Sequence, residues 1–213
     1  PTIDQLRPDP RDPTLVHVLV KGRKVASVPV PKIDSIGLAV GAAWTPELGA
    51  ACEQALDVRR ALRKAAGLLK HGDRSRTELL ESLQKGGFSE QVAALAASEL
   101  ERKGLAGDER AAQAEIEKRL RRLPAGRLLL EERLRARGID PEHVADVLDA
   151  AVPGTERERA LAAAYAIFER QADDLTPLAS WRRMVAALAR RGFDEATAQD
   201  AARTVLGSVP DEE

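Results

Sequence analysis

Aromatic side chains are scarce in this chain of 213 residues: three Phe, two Trp and one Tyr, 3% of the total. A hydrophobic share of 44% must then come mostly from Leu, Val and Ala. That supply suits thin helices packed close together and suits a wide, aromatic-lined cofactor cavity poorly. A single cysteine, Cys52, excludes an intrachain disulfide framework and a cysteine-based zinc cluster. It stands in the run Gly49-Ala50-Ala51-Cys52 with no cation beside it, which predicts a small packed residue and not a reactive thiol. No run approaches the roughly 20 apolar residues that span a bilayer, and the first residues lack the apolar stretch of a secretory leader. A soluble, cytoplasmic protein is the expectation. Charge of one sign is not in excess either: 33 Lys and Arg face 34 Asp and Glu, a net charge of -1. Domains that hold nucleic acid by bulk electrostatics are usually strongly basic, so that class is disfavoured, although local basic patches are not.

Catalytic sets are missing as well. His17, His71 and His143 fall in a strand, a helix-end loop and a helix start, with no metal-ligand spacing between any two. His17 is expected on a strand surface. Gly86-Gly87 reads as a helix terminator, and no phosphate-binding GxxxxGK run occurs. The pairs Glu131-Glu132 and Asp173-Asp174 are adjacent in sequence, so on a helix they diverge by about 100° and cannot share a substrate. No enzyme activity, metal or cofactor is expected.

What the chain does have is a phrase written three times. It reads Leu79-Leu80-Glu81-Ser82-Leu83-Gln84-Lys85-Gly86-Gly87-Phe88-Ser89, then Leu130-Glu131-Glu132-Arg133-Leu134-Arg135-Ala136-Arg137-Gly138-Ile139-Asp140, then Met184-Val185-Ala186-Ala187-Leu188-Ala189-Arg190-Arg191-Gly192-Phe193-Asp194. Each copy holds apolar residues four apart, a glycine, a large apolar residue and a Ser or Asp, with a second apolar helix after it. Gly87, Gly138 and Gly192 mark a period of just over fifty residues, the signature of a tandem helical array with an extended surface. Leu83, Leu134 and Leu188 should face inward, and Phe88, Ile139 and Phe193 should fill the gap behind each glycine.

Local signals set the elements. Leu15–Val20 and Lys24–Val30 flank a Gly22 turn and predict a β-hairpin, with Pro29 and Pro31 confining the second strand to an edge or ending it. Pro1 to Pro13, rich in Pro and Asp, reads as a poorly ordered lead-in. Ser75-Arg76-Thr77-Glu78 and Thr155-Glu156-Arg157-Glu158 are capping boxes. Thr45, Ser89, Asp108, Asp140 and Asp194 are further N-cap candidates, two of them followed by Pro at the first helical position, and Thr176-Pro177 restarts the chain. The predicted organisation is a hairpin extension over residues 1–50, three-helix repeats over 51–104, 105–154 and 155–208, and an acidic tail over 209–213. The fold class is mainly α, three tandem three-helix repeats in an elongated curved array.

Arginine placement is the remaining signal. Arg59, Arg63, Lys70, Arg74 and Arg76 run along and past the first long helix. Arg119, Arg122, Arg127, Arg133 and Arg137 gather about the break in the second repeat, and Arg182, Arg183, Arg190 and Arg191 bracket the middle helix of the third. Taken singly, such charges are mostly solvated helix faces. Their recurrence beside the same helix junction makes the set a candidate partner-binding surface.

Taken together these residues resemble the RecX family of bacterial regulators. Ser75-Arg76-Thr77-Glu78-Leu79 leading to Leu83-Gln84-Lys85-Gly86-Gly87-Phe88 is similar to the family's "S..EL...L..KGF" phrase, and Leu105 to Ala112 is similar to its "L.DerfA" segment. Leu134 to Ile139 and Leu188 to Phe193 resemble the second and third copies, and Val18-Leu19-Val20-Lys21-Gly22 resembles the turn of an amino-terminal extension. The resemblance covers nearly the whole chain in order. It implies a non-enzymatic regulator built of three tandem three-helix repeats, which binds the RecA filament on single-stranded DNA and limits its growth, ATP hydrolysis and strand exchange. Implied with it are a role in DNA repair and recombination, a monomer, no cofactor and at most weak direct DNA binding. Two readings stand beside it: a helix-turn-helix type DNA binder, and a helical scaffold for another protein.

Overall fold

The computed structural model describes residues 1–121, 123–170 and 176–207. The chain forms two compact units, one from Pro1–Gly72 with Leu79–Ala106, the other from Asp73–Glu78 with the chain from Gly107 onward.

The first unit opens with three antiparallel strands, β1 (Ile3–Pro8), β2 (Leu15–Val20) and β3 (Arg23–Pro29), in the order β1-β2-β3. The expected hairpin is therefore the β2-β3 part of a larger sheet, and the expected loose lead-in is its third strand. Prolines misled the sequence reading, because Pro8 closes an edge strand where a missing N–H costs nothing. Ile3 pairs with Val20 and is buried. Asp4 Oδ2 accepts the Gly22 N–H at 2.7 Å, tying β1 to the β2-β3 turn. That turn has two residues, Lys21 and Gly22, both with positive φ (50° and 72°), the type I′ geometry whose twist matches the strands it joins. His17, expected at the surface, is buried. Its Nδ1 lies 3.2 Å from Ser27 Oγ and its Nε2 3.4 Å from Asp9 Oδ2, so the ring joins the β1-β2 loop to β3.

A single 3-10 turn (Val30–Lys32) and a short α1 (Ile33–Ile36) lead to α2 (Pro46–Leu69). Thr45 Oγ1 accepts the Leu48 N–H and Pro46 takes the first helical position, as the sequence indicates. This helix runs 24 residues without a break, straight through the 50/51 boundary. Its first half lays Leu48, Cys52 and Ala55 against Ile3, Val16, Val18, Val20 and Val28. Its second half turns Ala61 and Ala65 toward Leu79 and Leu83 of α3 (Arg76–Lys85) and Val92, Ala93, Ala96 and Leu100 of α4 (Glu90–Arg102). Phe88 is only half-buried at the edge of this core.

The second unit contains α5 (Asp108–Leu120), α6 (Arg127–Ala136), α7 (Pro141–Ala151), α8 (Glu156–Phe168), α9 (Pro177–Ala189) and α10 (Glu195–Leu206). Helices α5 to α7 close on Ile116, Leu130, Leu134, Ile139, Val144 and Leu148. Helices α8 to α10 close on Met184, Leu188 and Phe193 among five fully or nearly fully buried alanines and Ala163. Small side chains let helix backbones approach, which is how a chain poor in aromatics still packs to protein density. Leu83, Leu134 and Leu188 have no exposed surface, and each contributes roughly 1.5–3 kcal/mol by burial. The fold is thus mainly α, three helical triplets after an amino-terminal sheet. The acidic tail expected over 209–213 lies outside the described residues.

Candidate partner-binding surface

The geometry of the arginines follows from how successive triplets meet in the second unit. Two such meetings occur, and they repeat each other. At the first, the Ser75 hydroxyl caps α3 by accepting the Glu78 N–H at 3.1 Å, and donates to the Arg137 carbonyl at 2.6 Å. Thr77 Oγ1 donates to the Gly138 carbonyl at 2.9 Å. At the second, the Gly126 N–H donates to the Arg191 carbonyl at 2.9 Å and the Leu128 N–H to the Gly192 carbonyl at 3.1 Å. The start of one middle helix therefore docks on the glycine that ends the next one. Gly192 has φ +82°, open to glycine and costly for other residues, and Cβ atoms at Gly126 or Gly192 would collide with backbone.

A carboxylate completes each meeting. Asp108, expected to cap its own helix, instead stands at the first helical position after Gly107, and its Oδ1 accepts the Arg76 N–H at 2.8 Å. Glu156 Oε1 accepts the Arg127 N–H at the same distance. Each acid thus satisfies an orphan amide at the start of an earlier helix, where negative charge also suits the helix dipole.

Four of the candidate cations are engaged inside the molecule. Arg137 donates to Glu78 Oε2 at 2.7 Å, to the Asp73 carbonyl at 2.7 Å and to the Ala111 carbonyl at 2.8 Å. Burial pushes the Glu78 carboxyl up, but the Arg137 guanidinium and the Ser75 amide outweigh it and hold it below the usual glutamate range. Arg127 pairs with Glu131 and Asp149, Arg119 with Glu115, and Arg59 with Asp12. Arg74 is half-buried, and its Nε has no hydrogen-bond partner. Arg76 is half-buried beside it. Arg63, Lys70, Arg133 and Arg182 are exposed, with Arg63 reaching to 3.9 Å from Asp12. Arg122 lies outside the described residues, as do Asp173 and Asp174.

Arg183, Arg190 and Arg191 come together. On α9 and its C-terminal turn they stand at spacings of seven and eight on one face. With Arg170, just past the end of α8, they rim a hollow of about 250 Å3. Its other walls are Leu123, Ala166, Ile167 and Ala187, and among the described residues no acid lines it. An adjoining hollow shares Leu123 and Arg191 and adds Lys118, Arg119 and Leu129. Burial, together with the Arg170 cation, pushes Arg191 below the ordinary arginine value. Sequence reading passed over Arg170, because its neighbours in space come from another helix; its place four residues after Ala166 on α8 was the available signal.

The cause of this cluster, which meets no acid among the described residues, lies in the repeat itself. Arg191 is to the second meeting what Arg137 is to the first. Three residues past the cap of the docking helix, the first meeting has Glu78 and the second has Leu129. The arginine is kept and its acid is replaced by an apolar wall. Other hollows differ in charge. One of about 230 Å3 sets Arg127 and Arg159 among Asp149 and Glu156. Another of about 430 Å3, in the first unit, is walled by Ile36, Ala55, Val58, Leu62 and Leu95, and its Arg102 is paired to Glu99.

Among the described residues, no group of three His, Cys, Asp or Glu is placed to hold a metal ion, and no helix is long and apolar enough to cross a membrane.

Known proteins supply an independent comparison. No protein-family model matches the chain. It is 32% identical to the regulatory protein RecX of Mycolicibacterium smegmatis over 163 residues, covering 73% of this chain and 87% of that one. It is 32% identical to the regulatory protein RecX of Corynebacterium efficiens over 160 residues, covering 72% and 74%. Among solved structures, a regulatory protein RecX superposes with a TM-score of 0.73 over 92% of this chain and 96% of the other, at 17% identity. RecX from Lactobacillus salivarius superposes with a TM-score of 0.60 over 70% and 96%, also at 17% identity, so these two bear on the fold alone.

Proposed function

The chain belongs to the RecX family of regulatory proteins, and from that premise we propose that it binds the RecA filament on single-stranded DNA and restrains the recombinase. The observation that carries the reading is the extent of the likeness, which takes in most of the length of relatives named as regulators. The chemistry suits it. Guanidinium groups left without acids pair readily, two bonds at a time, with the carboxylates of a protein surface or with phosphates. Contacts that are each modest add when one chain meets successive protomers of a polymer, because every contact after the first is intramolecular. In this reading the protein acts in the cytoplasm as a monomer, without a cofactor, and influences repair and recombination by binding and not by chemistry.

The test is RecA-catalysed ATP hydrolysis on single-stranded DNA with the protein titrated in. Hydrolysis should fall and filaments should shorten as the protein is added. If both stay unchanged at saturating protein, the regulator reading fails.

A further inference from the structure

We infer that the hollow rimmed by Arg170, Arg183, Arg190 and Arg191 is a docking site for an acidic protein segment that carries an apolar side chain between its carboxylates. Three observations converge on that occupant. First, the rim holds four guanidinium groups and no acid among the described residues, so it is complementary to an anion with several charges. Second, the floor is apolar. Leu123, Ile167 and Ala187 offer a nucleic-acid backbone little, but they offer a leucine-sized side chain a place to leave water. Third, the related meeting neutralises its arginine with Glu78, whereas the corresponding position here is Leu129, which offers Arg191 no carboxylate and lines the adjoining hollow with it.

The alternative anion is a nucleic-acid strand. The net charge of -1 does not supply the broad field on which backbone binding depends, and among the described residues no aromatic side chain lines the hollow to stack a base. An acidic peptide uses both the rim and the floor. A phosphodiester uses the rim only.

The inference goes beyond the regulator reading and stands on the hollow alone. The probe is a short fluorescein-labelled peptide rich in Asp and Glu with a central Leu, titrated with the full chain and followed by fluorescence anisotropy. Saturable binding is expected, weakening as salt is raised. It should weaken at least about tenfold in the double variant Arg183→Gln/Arg190→Gln, a change of about 1.4 kcal/mol, and should weaken severalfold when the peptide's Leu is replaced by Ser. Both substituted residues are exposed, so the double variant keeps its fold; Arg191→Gln is the more penetrating change, read alongside a thermal melt. Arg23→Gln, at an exposed arginine that is not among the residues lining the hollow, should bind as the parent does. Binding that is absent, that ignores the double variant, or that is displaced by an oligothymidine more readily than by unlabelled peptide overturns the inference. Peptide binding without any effect on RecA would sink the regulator reading and leave this one standing, and the reverse result would do the opposite.

Discussion

Gly126 and Gly192 meet backbone to backbone, and the space between them admits no side chain. A Cβ on Gly126 would overlap the Gly192 carbonyl, and one on Gly192 would overlap the Leu129 backbone. Gly126→Ala should therefore force the two triplets of the second unit apart, at a cost on the order of 3 kcal/mol, the upper part of the range for overpacking. Urea unfolding followed by circular dichroism would report it as a lowered midpoint. The contrasting change is Gly67→Ala. Gly67 sits in α2 with open space around its missing Cβ, so alanine should stabilise by about 0.5–1 kcal/mol.

Removing the Arg137 side chain should be among the most damaging single polar changes. It would strand the Glu78 carboxylate and leave the Asp73 and Ala111 carbonyls without their donor. Partial exposure of the pair keeps the cost below the 3–5 kcal/mol of a fully buried one, at about 2–3 kcal/mol. Arg137→Lys should recover little of it, because a single ammonium cannot bridge three acceptors in that fork. Equilibrium unfolding of the two variants beside the parent decides the point.

Acid should act through the same pair. Glu78 is held below its unfolded value, so its contribution is fully present above about pH 4.3 and is lost as pH falls through the folded-state value. Glu78→Gln should thus be less stable than the parent near neutrality, and the gap should narrow as pH falls below about 4.3. Thermal melts of both proteins across that range should converge; parallel curves would contradict the assignment.

Asp108→Ala should cost about 1 kcal/mol, the usual worth of an N-cap. The loss should be felt at Arg76 and not at the start of α5. Amide hydrogen exchange separates the two places, with faster exchange expected at Arg76 N–H.

Phe193→Ala should cost about 3–5 kcal/mol, since the ring is one of the few large side chains in a core made mostly of alanine. Phe88→Ala should cost less, because Phe88 is only half-buried. The ratio of the two unfolding midpoints checks the ranking.

What the sequence made legible is what its neighbours decide. Thr45, Ser89, Asp140, Thr155 and Asp194 cap the helices they precede, because a cap reaches only two or three residues along the chain. Leu83, Leu134 and Leu188 face inward because helical periodicity is local too. Asp108 was misjudged because its partner is 32 residues away. Nor could any local pattern separate Arg137 from Arg191, two arginines in the same slot of the same phrase. One meets Glu78 across 59 residues, and the other shares the lining of a hollow with Leu129. β1 escaped notice for a different reason: proline is a breaker in a helix or a central strand, and Pro8 is harmless at the rim of a sheet.

The short stretch from Asp73 to Glu78 folds with the second unit although the rest of its helix belongs to the first. A genetic cut at the apparent seam between triplets would divide residues that depend on one another. A piece starting at residue 105 would lose the hydroxyls that bind Arg137 and Gly138, the amide held by Asp108 and the acid opposite Arg137. Anyone shuffling triplets between relatives would do better to carry those six residues across with the downstream piece.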